Sequence, residues 1–341
     1  MRALVLTEYK RLEVRDVAEP ALGADDVLVR VRACGICGSD VHGFDGSSGR
    51  RVPPVVMGHE AAGEVARVGP AAAGWAAGDR VTFDSTVSCG RCDSCRRSQG
   101  NLCPSRRVLG VSCAEYRRDG AFAEYVALPG HVLYRLPEDL PFARAAMVEP
   151  LAVAVHAVSR APMPARAGLV VGTGTIGLLV LQALRAAGCE RVIAVDVDEA
   201  KRALARRLGA DVVLDPRALD APAEVRRLTG GGADVALECV GAGDPIQTAV
   251  ASVRRGGTVV LVGNVSPSVP LPLQAVVTGE ITLAGTCASS GEYPRAIELL
   301  RRGEIEVAPL VSAVAPLEEG PRMFDRLYAR EPGLMKVILE P

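Results

Sequence analysis

Between Gly168 and Asp196 the sequence leaves little choice of fold. Leu169-Val170-Val171 is an unbroken apolar run, as a strand buried on both faces requires, and Gly172-Thr173-Gly174-Thr175-Ile176-Gly177 follows in G-x-G-x-x-G spacing. Leu178 to Ala187 reads as helix, and Val192 to Val195 is a second strand that ends at Asp196. Strand, glycine turn, helix, strand and terminal acid in this order form a βαβ unit that receives a dinucleotide. Gly172 and Gly174 allow the tight turn and a close backbone approach to a pyrophosphate, while Gly177 lets the helix pack on the sheet. Thr175, Ile176, Lys201, Val240 and Val262 are the further expected cofactor contacts. Asp196, nineteen residues after Gly177, would accept hydrogen bonds from an adenosine ribose and repel a 2′-phosphate, so NAD is favoured over NADP.

The alternation continues beyond Asp196. Ala200 to Leu208, Pro222 to Leu228 and Ile246 to Val253 read as helices; Val212 to Leu214, Val235 to Cys239, Thr258 to Val262 and Ile281 to Ala284 read as strands. That supplies a parallel sheet of about six strands in a doubly wound α/β domain. The N-terminal part differs: short β-like runs at Ala3 to Leu6, Val27 to Val31, Val65 to Val68 and Arg80 to Phe83, punctuated by Gly and Pro, suggest a small barrel-like β domain. A helical stretch from Ala143, a helix from Tyr293 to Arg302 and a tail from Val311 complete the chain. The expected organisation is a β-rich domain over 1–150, the dinucleotide domain over 151–286, and a return of 287–341 to the first domain.

The 341 residues carry a net charge of -1 and 49% hydrophobic residues, which gives no basic surplus for nucleic acid. The N-terminus lacks a signal peptide's apolar core and no run reaches membrane-spanning length, so a soluble, cytoplasmic protein is expected. Ten cysteines in so long a chain suggest thiolate ligands in a reducing compartment rather than a disulfide framework.

Those ligands fall in two groups. Cys89, Cys92, Cys95 and Cys103 stand in C-x2-C-x2-C-x7-C spacing; four thiolates can close a tetrahedron around zinc with no vacancy, which makes a structural site. Cys37-Gly38-Ser39-Asp40-Val41-His42 followed by Gly58-His59-Glu60 brings together a thiol, an imidazole and a carboxylate, with a hydroxyl and a second imidazole beside them. Such a set can bind zinc and keep a coordination position open. On a regular strand His59 and Glu60 would point to opposite faces, so both ligate only if the backbone bends there; otherwise Glu60 stands behind the ligands and Glu149 takes its place on the metal. Glu149, in apolar surroundings before Pro150, either caps a helix or points to the metal; the proline is expected to push Glu149 itself out of helical geometry.

Taken together these residues resemble the zinc-dependent medium-chain dehydrogenases over nearly the whole chain, and Glu149-Pro150-Leu151-Ala152-Val153-Ala154-Val155-His156 is similar to their polyol branch, sorbitol and galactitol-phosphate dehydrogenases included. The resemblance implies a GroES-like catalytic domain beside a Rossmann domain. It implies two zinc ions per chain: one structural on Cys89, Cys92, Cys95 and Cys103, and one catalytic on Cys37, His59 and Glu60, with Glu149 as an interchangeable or water-bridged ligand. Ser39 would hydrogen-bond the reacting alcohol and His42 would pass its proton to solvent as the substrate gives hydride to NAD. A small polyol-type substrate and a homodimer or homotetramer are implied. An amino-alcohol (threonine-type) dehydrogenase and a catalytically silent NAD-binding relative are the alternatives. Phe44, Arg50, Arg117 and Arg118 are candidate pocket residues.

Overall fold

A computed structural model describes residues 1–113 and 116–341. The chain divides into two compact units: Met1–Glu149 with Ser289–Arg301 and Val307–Pro341, and Pro150–Ala288 with Arg302–Glu306.

The second unit is built on six parallel strands in the order Val212–Leu214, Arg191–Val195, Ala167–Val171, Ala233–Glu238, Val253–Leu261 and Thr282–Gly285. Leu169, Val171, Ile193, Val195, Leu237 and Val259 are buried, which explains why these strands read as continuous apolar runs: parallel sheets are covered on both faces. Asp198 and Asp220 cap the helices Glu199–Arg207 and Ala221–Thr229 by accepting from the backbone N–H of Lys201 and Ala223. Strand order reverses beside Ala167–Val171, so the glycine turn leaves the sheet at its switch point, where such sheets receive ligands. The helix Leu273–Thr278 was not foreseen; it is one short turn with no fully buried side chain.

The first unit is antiparallel for the most part. Leu133–Arg135, Arg80–Phe83, Glu60–Val68, Asp26–Gly35, Lys336–Glu340 and Val311–Pro316 form one sheet in that order, with Tyr125–Pro129 also paired to Asp26–Gly35. Arg11–Asp16, Arg2–Glu8 and Val55–Val56 form a second sheet. Leu4, Leu6, Phe83, Phe122, Leu128 and Phe324 make the core. The tail thus returns as helix Gly320–Tyr328 and strand Lys336–Glu340, whose Leu339 and Ile338 lie opposite Cys34 and Gly35.

Glu149 departs from expectation. It lies inside the helix Val148–Ser159 with Pro150 after it. Pre-proline crowding is only a bias against helix, and at the first turn the proline's missing N–H has no intrahelical partner to lose. Residues 142–159 are also long and apolar enough to cross a membrane by composition alone, contrary to the sequence reading, but this stretch is mostly buried inside the protein.

Candidate active site

The sharp bend between Gly58 and the strand Glu60–Val68 brings the first donors together. Gly58 has φ +93°, and a side chain there would strike Phe122; His59 precedes the strand that Glu60 begins. Strict strand alternation therefore does not separate the pair. Cys37, at the N-cap of the helix Gly38–Phe44, joins them, and one donor atom from each of Cys37, His59 and Glu60 lies within 4.8 Å of the others. Glu149 is outside this group. It is buried nearby, accepts from the Ser85 hydroxyl at 3.3 Å, and burial pushes its pKa up to about 7, the neighbouring His59 working against that and Glu60 adding to it.

Buried charged groups stand beside these residues. Asp40 Oδ1 stands 3.5 Å from His59 Nδ1 and accepts from Arg51 Nη2 at 2.9 Å, while Asp40 Oδ2 accepts from the Cys37 N–H at 3.3 Å. Burial opposes ionisation of Asp40, but His59 and Arg51 outweigh it and hold the carboxyl well below its usual range. Lys336 Nζ donates to Glu60 Oε2 at 2.5 Å and to the Ile36 carbonyl at 2.9 Å. Gly35, opposite Glu60 across the sheet, leaves the room this carboxylate uses: a Cβ there would lie 2.4 Å from Glu60 Oε2. His59, although burial disfavours its charge, is pushed well above its usual pKa by Asp40 and Cys37. The pocket's electrostatics thus favour a positive charge among these donors. A divalent metal on Cys37, His59 and Glu60 meets that demand, and the soft thiolate with imidazole and carboxylate suits zinc.

Ser39 and His42 lie one turn apart on the helix Gly38–Phe44, both exposed. Of the suggested pocket residues, Phe44 is core, its ring 5.8 Å from that of Phe324. Arg117 and Arg118 donate to the Pro54 and Ala127 carbonyls.

The second thiol group also converges. Cys89, Cys92, Cys95 and Cys103 present sulfurs within 4.8 Å of one another, with Cys92 and Cys95 at 3.5 Å. Backbone N–H groups of Arg91 and Cys92 lower the Cys89 pKa, as a thiolate ligand needs. None of the ten cysteines is joined in a disulfide.

In the other unit, the expected cofactor residues gather at the C-terminal ends of the inner strands of the parallel sheet. Gly172 (φ +89°), Asp196, Val240 and Val262 follow four of its strands directly or within two residues. A Cβ at Gly177 would sit 1.8 Å from the Gly172 carbonyl oxygen, whereas one at Gly174 would meet nothing within 4 Å. Helix packing thus fixes the last glycine, and open space beside Gly174 is room for a ligand. Thr175 and Ile176 begin the helix Thr175–Ala186. Asp196 Oδ2 accepts from the Thr173 N–H and hydroxyl at 2.7 and 3.0 Å, and Oδ1 from the Asp198 N–H at 2.9 Å. A carboxylate retains lone pairs beyond these for a ribose. Lys201 lies in the next helix, its N–H on the Asp198 side chain.

The family model of the alcohol dehydrogenase GroES-like domain matches residues 23–138, and that of the zinc-binding dehydrogenase matches 175–302. The sorbitol dehydrogenase of Bacillus subtilis (strain 168) is 33% identical over 100% of this chain and 97% of its own length. The chain belongs to the zinc-binding dehydrogenase family. It is an oxidoreductase of that family's polyol dehydrogenase branch. A zinc-binding dehydrogenase from Sinorhizobium meliloti 1021 bound to NADP is 34% identical, with TM-score 0.90 over 100% of this chain and 99% of that one. Galactitol-1-phosphate dehydrogenase from Escherichia coli is 27% identical, with TM-score 0.93 over 100% of both chains.

In this zinc-binding dehydrogenase the sequence reading missed the partners of the donors. Asp40 stood in plain view beside Ser39, and its place three residues after an N-cap could have marked it. Arg51 and Lys336 gave no local signal, since tertiary structure alone brings them to Asp40 and Glu60. Glu238 was missed too. Fully buried at a strand end, it accepts from the Val240 and Gly241 N–H groups and so holds the loop carrying Val240.

Proposed function

We propose that this zinc-binding dehydrogenase oxidises a secondary hydroxyl of a polyol, a sugar alcohol or its phosphate, with NAD as hydride acceptor. The convergence of Cys37, His59 and Glu60, with a buried Glu149 beside them, carries this reading. A donor set with one thiolate and carboxylates to spare suits an oxygen-rich substrate. Zinc held by Cys37, His59 and Glu60 would supply Lewis-acid polarisation of the bound hydroxyl. Ser39 then accepts the substrate's hydroxyl proton while giving its own to the next acceptor, and His42, one turn along the same helix, passes a proton to solvent. Glu149, poised between its charged and neutral forms near neutral pH, accepts from a second, neighbouring hydroxyl, a contact that a simple primary alcohol cannot return. Cys89, Cys92, Cys95 and Cys103 hold the structural zinc. Asp196 holds the adenosine ribose and repels a 2′-phosphate.

The names of the relatives, sorbitol dehydrogenase and galactitol-1-phosphate dehydrogenase among them, support the substrate class. The test is a rate screen of the zinc-loaded protein with NAD and with NADP across sorbitol, xylitol, galactitol 1-phosphate, threonine and ethanol. A polyol or its phosphate is expected to be fastest, and NAD preferred; Asp196→Gly should narrow the NAD-to-NADP ratio by about tenfold, the loss of one charge-assisted contact. Ethanol or threonine outrunning every polyol would overturn the substrate class. Equal use of both cofactors by the wild type would overturn the role of Asp196.

A further inference from the structure

Arg51 is a charged side chain only 3% exposed, yet it belongs neither to the donor set nor to any expected part of the site. Its Nη2 divides two N–H groups between Asp40 Oδ1 at 2.9 Å and Ser39 Oγ at 3.1 Å. Its Nε is buried without a hydrogen-bond partner. Its aliphatic stem lies against Gly43, where a Cβ would come within 2.7 Å of both Cγ and Cδ of Arg51. Ser39, Asp40 and Gly43 sit at helical spacing on Gly38–Phe44, so one helix face is shaped to receive this guanidinium. A buried arginine needs Asp40 as a counter-charge, but that need does not explain the second N–H on an exposed serine.

We propose that Arg51 is a positioning residue that sets the direction of proton transfer through Ser39. The proposal rests on the relay reading of Ser39 given above. A serine hydroxyl has one O–H and two lone pairs. The Arg51 N–H occupies one lone pair and, carrying only protons, cannot receive the serine's own. One lone pair and one O–H remain for other partners. The substrate hydroxyl's proton is accepted on that lone pair as the Ser39 proton leaves to the next acceptor. One O–H bond forms on Oγ while one breaks, and the serine stays neutral. Without Arg51 neither lone pair is claimed, and the hydroxyl is free to rotate so that its proton points at the substrate oxygen. The chemistry is unchanged, but the productive arrangement becomes a minority.

The test is a double-mutant cycle of Arg51→Met and Ser39→Ala on the zinc-loaded enzyme, read with the fastest polyol of the screen above. Zinc content, melting temperature and the solvent deuterium isotope effect on kcat are measured alongside. Arg51→Met is expected to lower kcat about tenfold, within the range of general acid–base effects, to leave KM within about twofold, and to raise the isotope effect. In the Ser39→Ala background the same substitution should cost less than about twofold. Arg51→Lys, with three donors on one nitrogen, should restore part of kcat. Gly43→Ala, which displaces the Arg51 stem while keeping its charge, should reproduce the kcat loss even if Arg51→Met folds poorly.

Equal losses from Arg51→Met in both backgrounds, or loss of zinc in proportion to activity, would overturn the proposal, because Arg51 would then act through Asp40 and His59. A fully active Ser39→Ala enzyme would overturn the relay reading itself. An impaired Ser39→Ala enzyme beside an unimpaired Arg51→Met would overturn only the role of Arg51.

Discussion

Lys336 is an ammonium group 2% exposed to solvent, and a charge so placed survives only where its surroundings replace water. Burial works against its protonation, but Glu60 and Cys37 more than compensate and raise its pKa. Breaking a buried pair from one side leaves the other charge stranded, which costs about 3–5 kcal/mol. For Lys336→Met the stranded group is Glu60, itself 1% exposed. A zinc ion beside Glu60 would offer it a second counter-charge, so the penalty should depend on metal. Denaturant unfolding of Lys336→Met is therefore expected to show a loss of about 3 kcal/mol in chelator-treated protein and a smaller one after zinc loading. Equal losses in both states would mean that Glu60 does not face the metal. At this scale the sequence names the candidate donors, which the fold brings together, but not what restrains them. Cys37, His59 and Glu60 announce themselves by type and spacing, whereas Lys336 is distinguished from other lysines only by the seven-stranded sheet in which it is buried.

Among the elements, the Cys89–Cys103 segment depends most on something other than packing. Its helix Asp93–Arg96 has no buried side chain, and the turn Gly100–Leu102 buries only Asn101. With so little apolar surface to bury, a closed metal site would supply most of its folding free energy. Cys92→Ser should release one of two zinc ions per chain and unfold the segment, so that trypsin cuts after the already exposed Arg96 and Arg97, while Cys37 retains its metal. Metal analysis and limited proteolysis read the two effects separately; a protease-resistant variant with one zinc would show that the segment holds itself together. This element was legible because its four thiols are neighbours in sequence. Parallel strands were legible for a related reason: burial on both faces leaves an apolar run such as Val192 to Val195. Strands such as Arg11–Asp16, with two ends exposed and one fully buried residue, leave a weaker trace and went unread. Glu149 was misjudged because a local backbone rule yields when the helix around it is buried.

For the molecule as a whole, chain order and spatial order disagree. The first unit is assembled from three stretches of sequence, and its main sheet is completed by Val311–Pro316 and Lys336–Glu340. Deleting residues 335–341 removes a strand from between Asp26–Gly35 and Val311–Pro316 and takes Lys336 away with it. Such a truncation should abolish cooperative unfolding of the first unit in calorimetry, while the six-stranded unit, none of whose strands lies in the deleted tail, should still melt as one transition and still bind dinucleotide. Loss of both transitions would show that the second unit cannot stand without the first.

This topology also has a consequence in time. On the ribosome Cys37, His59 and Glu60 emerge within a short stretch, but the ammonium that neutralises Glu60 is translated 276 residues after it. Until that residue emerges, the nascent chain therefore exposes a thiol, an imidazole and an uncompensated carboxylate to whatever cations the cell provides. The finishing strand inserts a fixed positive charge beside them, so full-length chain and nascent chain are different ligands for a metal. Emergence of the strand Lys336–Glu340, rather than the appearance of the donors, is the point at which the site can acquire its final selectivity.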